Sequence, residues 1–410
     1  MKTIAFFLTA LSACATDWPQ WRGPDKDNHA PKDAKPPLEW SETKNVRWKT
    51  PIPGRGHSTP IFVGNSIYLT TAEAEKGTQS LLSLDRKTGK VNWAKVIHQG
   101  GLPKQLHPEN SPASASAQWD GKHILVTFQN QEQIKVTAVT PAGKISWSKT
   151  VGAYRPTYPF GYGSTPTLYK DSLIVVVGTD KGGFLCALKT SDGSEIWRTP
   201  RAGHDYWATP VVATVSGKEQ LLISGVNKFS SYQPATGKLN WEADAGAKSM
   251  CGTIVWTKDM IFASGGFPEK ETAGVKADGS GKKVWRNTVK CYEQSLLSHK
   301  NLIYALADDG RAHCWDAATG AKKWSEKIGR SGVMASPLAV GDLVYATLKN
   351  GSTVIFKANG ETFEKVAVNQ LGTDTYASLV ALDKQLFARV GKSKLGERQE
   401  FLYCLENSSK

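Results

Sequence analysis

The chain lacks paired cysteine motifs. Its six cysteines are Cys14, Cys186, Cys251, Cys291, Cys314 and Cys404, and no two form a Cys-x-x-Cys. That argues against a zinc ribbon and against a thioredoxin-like redox centre. Cys186, Cys314 and Cys404 sit inside the apolar runs FLCAL, AHCW and LYCL. They read as small buried strand residues. Cys251 and Cys291 are near enough in sequence to pair, but a disulfide between them is not the expectation. Catalytic signatures are also missing: no G-x-S-x-G, no H-E-x-x-H, no EF-hand loop and no phosphate loop occurs. Asp25-Lys26-Asp27-Asn28 starts like a calcium loop but lacks the following Gly and the distal Glu, so it reads as a solvated arm. Beyond the N-terminus no apolar run approaches the ~20 residues of a transmembrane helix. Lys plus Arg outnumber Asp plus Glu by 51 to 37, a formal charge of +14, yet there is no dense basic run. Lys282-Lys283 and Lys322-Lys323 are isolated pairs. The excess therefore reads as a dispersed basic surface, and no nucleic-acid partner is expected.

The N-terminus reads as an export signal. Lys2 precedes the apolar stretch Ile4 to Leu11, which is too short to span a membrane stably. Two processing sites overlap there. Ala13-Cys14-Ala15 fits cleavage after Ala15, and Leu11-Ser12-Ala13-Cys14 fits a lipobox with Cys14 as the acylated residue. Either route leads to the periplasm or the cell exterior, the second as a membrane-anchored lipoprotein. The expected organisation is a signal over 1–15, an arm over 16–37, a repeat domain over 38–405 and a tail over 406–410.

What the chain has in abundance is Trp, fourteen of them, and their spacing is regular. Gly, three residues, Trp occurs six times, ending at Trp93, Trp147, Trp197, Trp241, Trp285 and Trp324, with a mean period of about 46 residues. Each unit opens on a small-residue segment: STP at 58–60, NSP at 110–112, STP at 164–166, ATP at 208–210 and ASP at 335–337. Strand-like runs follow, and a D-x-x-TG turn leads into the Trp strand. The turn Gly supplies a positive φ. The Trp is placed to cover the gap to the next unit, with its N–H within reach of a backbone carbonyl. A four-stranded sheet cannot bury both faces alone, so such units must stack.

Two further units complete the count. Residues 335–366 form a degenerate unit with Gly360 but no Trp, and 377–405 hold three strands without a fourth. The orphan strand Val46-Arg47-Trp48-Lys49 supplies the fourth by pairing with the C-terminal unit, which removes the open edges. The expected fold is an all-β, eight-bladed β-propeller. Seven blades remain if the degenerate unit is irregular. Trp48 joins the six repeat tryptophans as a docking residue.

The D-x-x-TGK-x-x-W element and the segment Asp17-Trp18-Pro19-Gln20-Trp21-Arg22-Gly23-Pro24 resemble the pyrroloquinoline-quinone-like (PQQ-like) repeat proteins, over roughly residues 17–405. That superfamily includes BamB-like propellers and quinoprotein dehydrogenases. The resemblance implies either an envelope scaffold or an enzyme that uses PQQ with Ca²⁺. The dehydrogenases carry a vicinal Cys-Cys against the cofactor, and no Cys-Cys dipeptide occurs here, nor any C-x-x-C-H haem site. No cofactor is therefore expected, with PQQ plus calcium as the alternative.

Candidate site residues lie in the loops entering each innermost strand. PGRGHSTP carries Arg55 and His57, and LHPENSP carries His107, Glu109 and Asn110. YRPTYPFGYGSTP carries Arg155, Tyr158 and Tyr162, and RAGHDYWATP carries His204, Asp205, Tyr206 and Trp207. Glu293, Arg330 and Tyr376 come from later loops. Aromatic faces mixed with charges suit an extended polar ligand or a peptide. No catalytic residue and no metal site is assigned. The three histidines share one position in the repeat, but separate blades would hold them apart. The expected function is a noncatalytic envelope protein binding a protein or a polysaccharide, as a monomer. A sugar-binding propeller, with Tyr158, Tyr162, Tyr206 and Trp207 as its platform, is a further alternative.

Overall fold

The structure is a computed structural model that describes residues 16–179, 181–204 and 206–408; Cys14, the leader and Asp205 lie outside the described residues. Among the described residues thirty-two strands form eight antiparallel four-stranded sheets. From inner to outer strand, blade 1 is Ile61–Val63, Ser66–Glu73, Thr78–Asp85 and Val91–Gln99. Blade 2 is Gln118–Trp119, Ile124–Asn130, Gln133–Val139 and Ile145–Ala153, and blade 3 is Thr167–Tyr169, Ser172–Thr179, Gly182–Lys189 and Glu195–Arg201. Blade 4 is Val211–Val215, Lys218–Gly225, Lys228–Tyr232 and Leu239–Asp244. Blade 5 is Val255–Trp256, Met260–Gly265, Glu271–Lys276 and Lys283–Asn287. Blade 6 is Leu297–His299, Leu302–Leu306, Arg311–Asp316 and Lys322–Lys327. Blade 7 is Leu338–Val340, Leu343–Thr347, Ser352–Lys357 and Lys365–Gln370. Blade 8 joins Val380–Leu382, Gln385–Lys394 and Glu397–Glu406 to the N-terminal Val46–Ile52, with Trp48 opposite Cys404. The degenerate unit is thus a complete blade, and the fold is an eight-bladed β-propeller.

The Gly-x-x-x-Trp element serves two blades at once. Trp48, Trp93, Trp147, Trp197, Trp285 and Trp324 each donate Nε1–H to a carbonyl in the next blade's outer hairpin, those of Arg86, Pro141, Thr190, Pro234, Ala317 and Asn359, at 2.8–3.1 Å. The ring lies over that hairpin's glycine. A Cβ on Gly89 would sit 2.5 Å from the Trp48 ring, and one on Gly193 2.8 Å from Trp147. Gly89 and Gly193 also hold φ near +72° and +73°. Glycine is therefore required twice, for the turn and for the neighbour's indole. Trp241 departs from this. Its Nε1–H goes to Gln220 Oε1 of its own blade, and Gln220 Nε2 carries the link to the Ala277 carbonyl of blade 5.

Blade 7 has no Trp to offer blade 8, and Trp40 takes that place from the N-terminal side. Its ring is buried and stacks on Tyr345 at 6.2 Å and 4°. Its amide donates to Asn369 Oδ1, whose Nδ2 donates in turn to the Leu38 carbonyl.

In the preceding segment Asp25-Lys26-Asp27-Asn28 is not the wholly solvated stretch expected from sequence: Asp25 is exposed, but the chain around it is anchored. Trp18, Arg22 and Asn28 are almost wholly buried. Trp18 exchanges both backbone bonds with Phe62 of blade 1. Arg22 Nη2 donates to the Leu296 carbonyl, Lys26 Nζ to Leu168 and Asn28 Nδ2 to Pro337. His29 continues as a bridge to Ala339, and Asp27 Oδ1 accepts the His29 amide. One short stretch thus touches inner strands from blades on all sides and crosses the axis. It closes the channel at the end where the inner strands exit. The burial is driven by the channel itself, which would otherwise leave inner-strand polar groups facing an empty core.

Above this plug a ring of hydroxyls ties the inner strands together. The amide of Thr59 donates to Ser116 Oγ (2.9 Å), Ser116 to Thr165 (3.0 Å) and Thr165 to Thr209 (2.9 Å). Thr253 donates to Ser295 (2.9 Å), Ser295 to Ser336 (3.0 Å), Ser336 to Ser378 (3.0 Å) and Ser378 back to Thr59 (3.2 Å). At the remaining junction Thr253 Oγ1 accepts from Trp21 Nε1 (3.3 Å). This is the physical meaning of the small-residue segments. It also corrects one assignment: the blade 2 member is Ser116, not a residue of the NSP at 110–112.

Closure rests on a buried ion pair as well as strand pairing. Arg389 and Glu400 meet at 2.7 Å with side chains 2% exposed. Arg389 also donates to Ser58 and to the Thr70 carbonyl of blade 1, while Glu400 accepts the Gly56 amide and Arg398. Arg389→Met strands a buried carboxylate and is expected to cost about 3–5 kcal/mol, part of which returns in Arg389→Met/Glu400→Leu. Trp40→Ala should cost about 3–5 kcal/mol by the cavity it opens. Urea denaturation checks both. Changes within ~1 kcal/mol of wild type would show that strand pairing alone holds the ring.

Candidate functional site

Plug, collar and entry loops enclose a cavity of about 230 Å³ on the axis, blind at the plugged end. Trp21 stands at its floor, and Ser114, Ser116, Thr165, Thr209, Thr253 and Ser295 supply a hydroxylic waist. The upper wall contains His57, His107, Glu109, Asn110, Phe160, Trp207, Cys251, Tyr292, Glu293, Met334 and Tyr376.

Two long entry loops shape the mouth. The loop before blade 2 folds onto the loop before blade 3: the His107 amide donates to the Pro159 carbonyl at 2.5 Å, and Asn110 Nδ2 donates to the Phe160 carbonyl. Asn110 Oδ1 accepts from Ser111 and Ser114, which fixes its own loop. Arg55 Nη1 donates to the Pro108 carbonyl at 2.6 Å. From the far side, Lys349 of blade 7 forms an ion pair with Glu109. The blade 2 loop is thereby tied across the mouth.

The aromatic wall is tilted rather than flat. Phe160 and Trp207 meet at 5.9 Å and 76°, and His107 leans on Phe160 at 5.4 Å. His57 stacks face to face on Tyr376 at 4.2 Å. Burial, reinforced by Arg55, Arg389 and Arg398, pushes His57 well below the usual imidazole range, so it is neutral. Its Nε2 has no hydrogen-bond partner among the described residues, and neither does Trp207 Nε1.

Acid groups gather opposite. Enclosure and the nearby Asp308 raise the Glu293 carboxyl to about 7. Burial, together with Glu293 and Asp308, holds the Cys251 thiol far above its ordinary value, so it stays protonated and unreactive. Burial raises Tyr292 likewise.

Seven of the fifteen candidate residues named from sequence therefore meet in the cavity: His57, His107, Glu109, Asn110, Trp207, Glu293 and Tyr376. Arg55 stands behind Tyr376, 5.3 Å from its ring centre, and His204 packs edge-on against Trp207. The rest lie elsewhere. Tyr162 and Tyr206 are buried in blade packing, their hydroxyls spent on the Val176 and Ala202 carbonyls. The four-ring sugar platform is therefore not built. Arg155 is exposed and paired with Glu132, and Arg330 is exposed on the rim. Sequence reasoning missed Trp21, Phe160, Met334 and Lys349. Trp21 and Phe160 stood inside quoted motifs; Lys349, in an ordinary hairpin turn, gave no cue. The five later cysteines are free. Among the described residues no three His, Cys, Asp or Glu side chains converge to hold a metal ion.

The sequence profile of one family, described as outer membrane protein assembly factor BamB, matches residues 38–159 and 268–366, more than half of the chain. No curated protein matches. Among solved structures, BamB from Moraxella catarrhalis is similar with TM-score 0.60 and 12% identity, covering 87% of this chain and 99% of that one. Quinohemoprotein alcohol dehydrogenase from Comamonas testosteroni gives 0.68 and 13%, covering 96% and 81%. A europium-containing methanol dehydrogenase gives 0.66 and 12%, covering 95% and 98%. At these identities the likeness concerns the fold alone.

Because the folded carboxyl of Glu293 is raised, its contribution to stability is fully present below about pH 4.5 and is lost as pH rises through about 7. Carbon-13 NMR of labelled Glu should show one carboxyl titrating near pH 7, moved down by Asp308→Asn. If every Glu titrates between about 4 and 5, the enclosure argument fails.

Proposed function

We propose that this chain, which belongs to the PQQ-like propeller family of outer membrane protein assembly factor BamB, is a noncatalytic binding protein of the cell envelope that receives part of a partner protein in its axial cavity. The observation that carries this reading is the aromatic-lined axial cavity, bounded by the chain's own Trp21 on the plug side and by the entry loops on the other. Its volume lies below the ~300–1,000 Å³ of sites for drug-sized ligands. It suits one side chain or a chain end, with the loop rim holding the rest of the partner.

The chemistry favours binding over turnover. Cys251 is held as the thiol, and neutral His57 is hydrogen-bonded to no nucleophile among the described residues. The donor set bears on the alternative, a quinone-dependent dehydrogenase. A calcium-bound quinone needs converging carboxylate and amide oxygens, but Glu109 is committed to Lys349 and Glu293 is half protonated near neutrality. The residues present do not fit that group. Export, by either processing route at Ala13-Cys14-Ala15, belongs to the same proposal.

Gly163 lines the cavity, and a Cβ there meets nothing nearer than Ser114 at 4.0 Å. Gly163→Leu should therefore fill the cavity and leave the fold intact. In pull-downs from envelope extract, Gly163→Leu is expected to lose a partner that wild type and the outer-wall variant Ile145→Lys retain. Equal retention by all three would place binding elsewhere on the molecule.

A further inference from the structure

The cavity is charged against the grain of the chain. The protein carries a net +14, yet no Lys or Arg lines the cavity, while Glu109, Glu293 and the rings of Trp21, Phe160, Trp207, Tyr292 and Tyr376 do. On the Glu293 side the nearby cations are matched, whereas Arg55, with no ion pair among the described residues, sits on the opposite wall over the Tyr376 ring. Lys349 pairs with Glu109, and Lys290 pairs with Asp308 at 3.3 Å while lying 4.8 Å from the Tyr292 ring centre. Glu293 alone of the cavity acids has no ionic partner among the described residues. Across from it, His57 presents an unpartnered Nε2 on a neutral ring, and Trp207, only 7% exposed, presents an unpartnered indole N–H.

This set has a complement. An uncompensated carboxylate in a box of aromatic faces fits a cation, whose attraction to ring faces grows as water is excluded. The apolar faces between suit an alkyl stem. The free Trp207 N–H asks for an acceptor, which a peptide carbonyl supplies. Resting on the reading of the cavity as the binding site, we infer that the group it receives is a primary ammonium on an alkyl chain, the side chain of a lysine in the partner protein, with the ammonium on Glu293.

The groups facing Glu293 set its pH response. Asp308 and Glu109 hold it protonated, Lys290 works the other way, and Cys251 and Tyr292 stay neutral. The ammonium is charged throughout the neutral range. Binding therefore strengthens as Glu293 loses its proton.

The test is calorimetric titration of the mature chain, with tryptophan fluorescence alongside, using Nα-acetyl-lysine methylamide. The norleucine and glutamate analogues serve as the neutral and anionic controls. The lysine probe is expected to bind roughly tenfold more tightly at pH 8 than at pH 6, because a group titrating near 7 changes ionised fraction about tenfold over that range. Norleucine should bind at least tenfold more weakly, and Glu293→Gln should erase both the preference and the pH dependence. The pH response of wild type stands by itself if that variant folds poorly. Norleucine or glutamate binding as tightly as lysine overturns the inference, as does no lysine binding up to ~10 mM, roughly 3 kcal/mol. In either case retention of a partner by wild type but not by Gly163→Leu leaves the cavity standing as a site for another group. Loss of that contrast removes both readings.

Discussion

An indole laid across the glycine of the next blade's hairpin is the contact on which this ring depends. A lone blade exposes two apolar faces, and only its neighbours cover them. The core accordingly forms in the seams between sheets: one cluster joins Leu125, Val136 and Ala138 of blade 2 to Leu173, Val175 and Cys186 of blade 3. The indole fixes where each seam ends at the outer wall. Its N–H satisfies a hairpin carbonyl, and its ring occupies the space a Cβ would take on the glycine. Two seams solve the same problem differently. At Trp241 an amide side chain relays the bond, and between blades 7 and 8 Trp40 enters from outside the repeat.

The inner end of the ring meets the opposite difficulty. There the strands crowd together with amides that no sheet partner reaches, and an axial gap lies between them. The hydroxyl collar answers the first problem by passing one hydrogen bond from blade to blade. The N-terminal segment answers the second. By filling one end with buried Trp18, Arg22 and Asn28 it turns a through-channel into a blind cavity. The plug also places Trp21 beneath the collar, so the segment that closes the fold supplies the floor of the site.

Periodicity made the ring legible in sequence. The 46-residue Trp spacing, the missing fourth strand at one terminus and the orphan strand at the other were enough for eight blades and their closure. The site was less legible, for physical reasons. A loop position says which face a residue approaches but not how far its side chain is consumed by packing. Tyr206 illustrates this: its ring lies so close to Gly178 and Gly183 that neither tolerates a Cβ, and it belongs to the wall, not the rim. Lys349 is the converse. Nothing in LKNG marks it, and only the curvature of the ring brings it 240 positions back to Glu109. The plug was misread at Asp25-Lys26-Asp27-Asn28, which is polar enough to pass for a solvated arm, whereas Lys26 and Asn28 are bonded to the Leu168 and Pro337 carbonyls.

Net charge and site charge also part company here. Basic residues are spread over a surface large enough for water to screen them. The cavity sees few of them, because most of those near it are paired: Arg389 with Glu400, Arg398 with Asp374 and Glu400, Lys290 with Asp308, and Lys349 with Glu109; Arg55, over Tyr376, is the exception. Paired charges largely cancel at a distance, so the local field is set by what remains unpaired. On the wall of blades 8 and 1 burial, with Arg55 and the arginines behind it adding to the effect, keeps His57 neutral; on the wall of blades 5 and 6 burial, with Asp308 adding to it, keeps Glu293 close to its midpoint at neutral pH. A cavity so polarised selects a ligand by the sign and position of its charge before shape is considered. The overall charge of +14 therefore gives no guidance to what enters the axis.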